Sequence, residues 1–251
     1  MKIIAHRGSS ALRPENTIAS FDLAVESGFN LIELDIHLSR DDVPVVIHDE
    51  TVDRTTNGSG KINSLKLSEI KKLNAGQNFN SNIRFNESIP SLSEIIKRYK
   101  NSSHIFIEIK SNDKKIISIL GEILNKNNLY NSKKNDAMSI GIPGVSIISF
   151  NINQLIISKK LLPNINHGYL VKITEEEHIN LCKKYGFLGI FPYIKSINPK
   201  FVNLAKSANI FIGAWGLIDD DDIYLAKKLG LSGITVDDPE DANKKLQRFN
   251  I

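Results

Sequence analysis

The strongest constraint on this chain is an alternation. Short, β-branched apolar runs are each followed by an amphipathic stretch that carries helix signals, and the pattern recurs eight times. The runs span 2–6, 31–37, 105–109, 146–150, 168–171, 188–191, 210–215 and 233–236; the stretches span 17–27, 91–100, 113–126, 152–161, 175–185, 199–207, 219–229 and 239–249. Strands separated by helices lie parallel, because the helix carries the chain back to the same edge. Eight such units are enough to close a ring, so the expected fold is a (β/α)₈ TIM barrel, and 251 residues suit one such barrel as a single domain over 1–251.

One interruption departs from the repeat. A further strand over 43–47 is separated from the second run by only 38–42. A parallel crossover needs about a dozen residues, so this strand is expected to return antiparallel as a hairpin arm. The excursion continues over 38–90 through the turn-rich Arg54-Thr55-Thr56-Asn57-Gly58-Ser59-Gly60 and a short helix near 67–73. A long insertion between a strand and its helix reads as a cap-like element over a substrate.

Helix starts are legible too. Asn16 or Thr17 can cap the first helix, and Ser91 with Glu94 forms a reciprocal capping box. The run Asp219–Asp222 has the look of a metal site, but acids at a helix start answer the positive end of the macrodipole.

Composition excludes several classes. Hydrophobic residues make up 41% and charged residues 24%, so a core forms without disulfides. The single cysteine, Cys182, reads as buried and inert, which fits a reduced, cytoplasmic compartment. Met1–Ala5 is too short for a signal-peptide core, and no apolar run reaches the roughly 20 residues of a membrane span, so no membrane anchor is expected. The net charge of +4 comes from dispersed lysines without aromatic platforms, which argues against nucleic acid as a partner. Nothing in the residues specifies an oligomer.

Barrel chemistry sits where strands end. The first strand ends in His6-Arg7-Gly8; the second carries Glu33 and Asp35, which alternation places on one face; the third ends in Glu108-Ile109-Lys110. Three converging carboxylates repel one another unless a cation offsets them, and an all-oxygen set suits Mg²⁺ or Ca²⁺; a salt-bridge cluster with Arg7 and Lys110 is the alternative. His6 and His48 titrate near neutrality beside this cluster and are the candidate acid and base, with His48 expected to protonate the leaving group from its arm. His37 is expected to be peripheral, and His104, His167 and His178 to lie away from the mouth. By their residues alone, these features describe a metal-assisted phosphoester hydrolase.

The ordered set His6-Arg7-Gly8, Pro14-Glu15-Asn16-Thr17, Glu33-Leu34-Asp35, His48-Asp49, Arg54-Thr55-Thr56-Asn57-Gly58, Ile89-Pro90-Ser91-Leu92 and Glu108-Ile109-Lys110 resembles the glycerophosphodiester phosphodiesterase family, with later echoes at Trp215 and Asp237-Asp238-Pro239. The resemblance runs nearly the whole chain. It implies a barrel with an insertion after the second strand, a divalent metal on Glu33, Asp35 and Glu108, and acid–base roles for His6 and His48. It also implies that Arg7 and Lys110 hold the phosphate, while Glu15 and Asn16 order the first loop. The implied reaction converts a small glycerophosphodiester to sn-glycerol 3-phosphate and an alcohol, a glycerol hydroxyl attacking phosphorus before water opens a cyclic phosphate. Trp215 can stack under a glycerol or choline group. The chain departs from the family at Gly216-Leu217-Ile218, where Thr-Val-Asn is usual, and at Val236, where threonine is usual; both bear on the alcohol or glycerol. The remaining alternatives are a lysophospholipase D on the same barrel and a non-catalytic binding barrel.

Overall fold

The computed structural model describes residues 1–80, 82–130 and 140–248. Its strands are β1 (Lys2–His6), β2 (Leu31–Leu38), β3 (Pro44–Val46), β4 (His104–Ile109), β5 (Gly144–Ser149), β6 (Asn166–Val171), β7 (Gly189–Pro192), β8 (Phe211–Ala214) and β9 (Gly233–Val236). Eight of them form a parallel ring in the order β1-β9-β8-β7-β6-β5-β4-β2, closed by pairing of β1 with β2. The helices are α1 (Ile18–Glu26), α2 (Leu67–Ile70), α3 (Leu92–Tyr99), α4 (Lys115–Lys126), α5 (Ile152–Leu161), α6 (Glu176–Tyr185), α7 (Pro199–Ser207), α8 (Asp220–Lys228) and α9 (Pro239–Arg248). The expected closure is therefore present. Phe249, the expected end of the last helix, lies outside the described residues.

Every residue of β2 and β4 is buried, as a barrel strand requires: one face fills the interior while the other supports the helices. Ile32, Leu34 and Ile36 pack outward with Phe21, Ile95 and Ile96. The opposite parity supplies a separate inner cluster of Ile4, Leu31, Phe106, Ile148, Leu170, Phe191 and Phe211. Phe191 dominates this interior because neighbouring strands make room for it. A Cβ on Gly168 would stand 2.3 Å from its ring, one on Gly213 2.6 Å, and one on Gly189 2.9 Å, all inside normal carbon contact.

Local signals set the helix starts. Thr17 caps α1 in a reciprocal box with Ser20, and Ser91 caps α3 with Glu94. Asp219 caps α8 ahead of Asp220, Asp221 and Asp222, the macrodipole arrangement expected of that run. Among the described residues no helix is long and apolar enough to cross a membrane.

The hairpin arm is also present, β3 running antiparallel to β2 with His37 opposite Val45. Beyond it the insertion has its own small core of Val45, Ile47, Val52, Ile62, Ile70 and Ile89. Its helix α2 is shorter than expected, one turn closed by Glu69 against the Lys66 backbone N–H.

Candidate active site

The inner face of each strand sets what the mouth contains. On β1, β2 and β4 it changes from apolar at the floor to charged at the top: Ile4 then His6, Leu31 then Glu33 and Asp35, Phe106 then Glu108. Register places Glu33 beside His6 and Asp35 beside Glu108. One ligand oxygen from each of Glu33, Asp35 and Glu108 lies within 4.8 Å of the others, and all three residues are buried. Together with His6, Arg7, His48, Lys110 and Trp215, these are the residues singled out from sequence. Seven of the eight line one cavity of about 340 Å³; Asp35 lies beneath it, fully buried.

Electrostatics within the trio is uneven. Burial, then repulsion from Asp35 and Glu108, pushes the Glu33 carboxyl well above its usual range. Burial, then Asp35, raises Glu108 to about 7. Burial acts the same way on Asp35, but Arg7 and Lys110 outweigh it and hold that group down to about 2. Arg7 Nε lies 3.1 Å from Asp35 Oδ2, and Lys110 Nζ lies 2.8 Å from Glu108 Oε1 and 3.4 Å from Asp35 Oδ1. Both basic residues thus engage the carboxylates while also facing the cavity.

The trio fits a hard divalent cation. Its donors are all oxygen, the charges it gathers are only partly offset, and buried Asp35 Oδ1 receives no hydrogen bond. Asn16 Nδ2 donates to Asp35 Oδ2 at 2.9 Å and fixes that carboxylate from the other side.

Each histidine has its own carboxylate. His6 Nδ1 lies 2.6 Å from Asp237 Oδ1, which also accepts from Ser10 Oγ at 3.1 Å. His48 Nδ1 lies 2.6 Å from Asp49 Oδ1. With Nδ1–H donated in both, each ring keeps Nε2 for other chemistry. The two settings differ in charge. Arg54 donates from Nε to Asp49 Oδ2 at 2.6 Å and from Nη2 to Oδ1 at 3.2 Å, neutralising the His48 partner; no arginine bonds Asp237 among the described residues. Burial lowers the proton affinity of His48, Arg7 and Lys110 add to this, and Asp35 and Asp49 oppose it.

Arg54 extends the network. Its Nη1 and Nη2 donate to Glu15 at 2.8 and 2.7 Å, and Glu15 Oε1 accepts from Arg7 Nη1 at 2.9 Å. A chain of alternating charge therefore runs Asp49–Arg54–Glu15–Arg7–Asp35, joining the insertion to the first loop. Glu15 stands between the two arginines rather than in the carboxylate trio. Arg7 adopts φ 56° and Gly8 φ 85° as the chain turns away from the end of β1. A Cβ on Gly8 would meet the Ser20 backbone at 2.5 Å, so only glycine fits.

Sequence reasoning passed over three participants. Asp49 and Asp237 were visible only as parts of motifs, and Arg54 as one residue of a turn. His37, expected to be peripheral, lines a neighbouring cavity and not that of the trio; it is buried at 7% exposure, and its Nε2 donates to the His48 carbonyl at 3.0 Å. Its shared face with Glu33 and Asp35 was the available signal. His104 and His167 lie low in the barrel wall on serine hydroxyls, and His178 is on α6. Trp215 faces the cavity between Phe150 and Tyr193, its Nε1 donating to the Phe191 carbonyl at 3.0 Å.

Fold and site together define a barrel hydrolase with a paired-histidine site at the strand ends. The glycerophosphoryl diester phosphodiesterase family model matches residues 6–241. The chain is 36% identical to a glycerophosphodiester phosphodiesterase of Caldanaerobacter subterraneus subsp. tengcongensis, over 95% of this chain and 94% of that one. Its fold superposes with a TM-score of 0.85 on a phosphodiesterase of Oleispira antarctica solved with the product sn-glycerol-3-phosphate, at 28% identity over 98% of this chain and 97% of that one. A glycerophosphodiester phosphodiesterase of Agrobacterium tumefaciens gives 0.79 at 25% identity, covering 96% and 97%. The chain belongs to the glycerophosphoryl diester phosphodiesterase family and is a phosphoric diester hydrolase.

Proposed function

We propose that this chain hydrolyses glycerophosphodiesters to sn-glycerol 3-phosphate and an alcohol, using a divalent cation held by Glu33, Asp35 and Glu108. The observation that carries this is the convergence, at one mouth, of a buried carboxylate trio and two histidines that each have a dedicated carboxylate. The Oleispira neighbour, with sn-glycerol-3-phosphate bound, supports the same substrate class. Mg²⁺ and Ca²⁺ both suit the oxygen donors. When bound, the ion supplies positive charge against the phosphoryl oxygens.

The residues divide the remaining work. Arg7 and Lys110 face the cavity from beside the trio and hold the anionic diester. His48, neutral near pH 7 because of burial and its cationic neighbours, takes the proton of the attacking hydroxyl at Nε2. His6, whose Asp237 partner keeps its full charge, hands a proton to the departing alcohol oxygen. That division is opposite to the one expected from the position of His48 on the insertion. Asp49 and Asp237 fix the ring tautomers, and segment 38–90, tied down by Arg54, closes one side of the site.

The test is release of glycerol 3-phosphate from glycerophosphocholine and glycerophosphoethanolamine with Mg²⁺, Ca²⁺ or a chelator, beside Glu33→Ala. Metal-dependent release that disappears in the variant is expected. A folded chain that releases nothing with either metal would overturn the assignment.

A further inference from the structure

The pairing of β3 with β2 stops just short of His48. Its last backbone bond runs from the Ile47 N–H to the Asp35 carbonyl at 3.0 Å, and pairing resumes only where the Ile62 N–H meets the Glu50 carbonyl at 2.9 Å. Residues 48–50 between them have no regular structure. A ring carried on irregular backbone is placed only as well as that backbone is held. Asp49 cannot hold it alone: it sets the ring tautomer through Nδ1, but as the next residue it moves with the same segment. Arg54 ties Asp49 to Glu15 on the first loop, which joins one loop to another.

His37 supplies a tie to the barrel itself. It lies within β2, the strand that also carries Glu33 and Asp35. A carbonyl oxygen only accepts, so the contact of His37 Nε2 with the His48 carbonyl at 3.0 Å places the ring hydrogen on Nε2. The His37 ring is buried, which shields this bond from competing water. His37 does not reach the substrate cavity. It faces the neighbouring one, of about 340 Å³, beside Glu50, Lys61 and Asn63, and of the residues named from sequence only Lys110 lines both. Any effect of His37 on the reaction therefore passes through His48.

We infer that His37 is a positioning residue for the hydrolysis: its Nε2–H pins the His48 backbone to the strand that carries Glu33 and Asp35, and so sets the distance between the His48 ring and a phosphate held over the trio. The inference rests on the hydrolase reading and adds a residue to it. One strand then carries two of the trio's carboxylates directly and the proton-transferring ring through a single side-chain bond. Proton transfer needs that ring within hydrogen-bond reach of the reacting oxygen. A misplacement of about 1 Å costs on the order of a hundredfold in rate. The diester is gripped elsewhere, by Arg7, Lys110 and the trio, so loss of the tie belongs in kcat and not in KM.

The experiment measures kcat and KM for glycerophosphocholine, and calorimetric affinity for Mg²⁺ and Ca²⁺, in the parent, His37→Gln, His37→Asn and His37→Leu. Glutamine puts an amide N–H where Nε2–H stands, asparagine stops one carbon short, and leucine fills the space without a donor. The leucine and asparagine variants should lose about tenfold to a hundredfold in kcat with KM within about twofold, while glutamine returns to within about threefold of the parent. Ion affinity should be the same in all four. Equal kcat in the glutamine and asparagine variants overturns the inference, and that pair decides alone if the leucine variant does not fold. A loss that tracks weakened ion binding also overturns it, because the substitution then acts through the trio. Both of these outcomes leave the hydrolase reading standing. No hydrolysis by the folded parent overturns that reading, and this inference with it.

Discussion

Acidification should weaken this fold through two buried histidines that lie away from the barrel mouth. His104 Nδ1 donates to the Gly141 carbonyl and its Nε2 accepts from Ser146 Oγ, each at 2.8 Å; His167 Nδ1 donates to the Ile165 carbonyl at 2.9 Å and its Nε2 accepts from Ser158 Oγ at 2.8 Å. Burial drives the first down to about 4 and, with Lys159 adding to it, the second to about 3. In the unfolded chain each takes its proton near about 6.5. Between those values the unfolded state binds more protons than the folded one, so stability is full above about pH 6.5 and falls as pH drops. By about pH 4.5 each histidine should have removed about 2–3 kcal/mol. The assay is guanidinium unfolding of the parent and of His167→Gln at about pH 8 and about pH 4.5. Glutamine does not titrate, so the loss on acidification should be smaller in the variant by about 2–3 kcal/mol, whatever its stability at neutral pH. Equal losses in both proteins would refute the claim that His167 is buried neutral.

Three further outcomes are expected. Glu33→Gln relieves repulsion in the trio, so without metal the variant should be at least as stable as the parent, yet lose the thermal upshift of about 2–3 kcal/mol that Mg²⁺ or Ca²⁺ at a hundredfold excess over its dissociation constant should give the parent. Calorimetry with and without the ion checks both halves. Arg54→Gln frees the full charge of Asp49, so His48 should hold its proton more tightly and the acidic limb of kcat/KM should move up by about half to one pH unit; a loss of rate with an unmoved limb would reduce Arg54 to a packing residue. Gly213→Ala should cost about 1–3 kcal/mol by crowding Phe191, and adding Phe191→Leu in the same chain should recover part of it, as read from denaturant midpoints.

Much of the barrel was legible because its signals are local. Period-two and helical patterns repeat within a few residues, and caps such as Thr17 and Ser91 sit next to the helices they start. The mouth acids were legible for a related reason: alternation along one strand puts Glu33 and Asp35 on one face without reference to any other strand. What sequence could not give was pairing across the ring. Asp237 becomes a partner of His6 only because β9 lies beside β1, and Arg54 becomes a clamp only because the insertion folds back over the first loop. Likewise, the division of the mouth into a charged side and an apolar side depends on strand order, which no single segment carries.

The bond from His6 to Asp237 spans 231 positions of sequence. A ribosome has therefore made His6, the carboxylate trio and the whole insertion long before it makes the carboxylate that holds the His6 ring. Until β9 emerges and docks against β1, a growing chain has an open seam beside His6. With His6 as the proposed acid, turnover should therefore begin only once β9 has closed the barrel against β1.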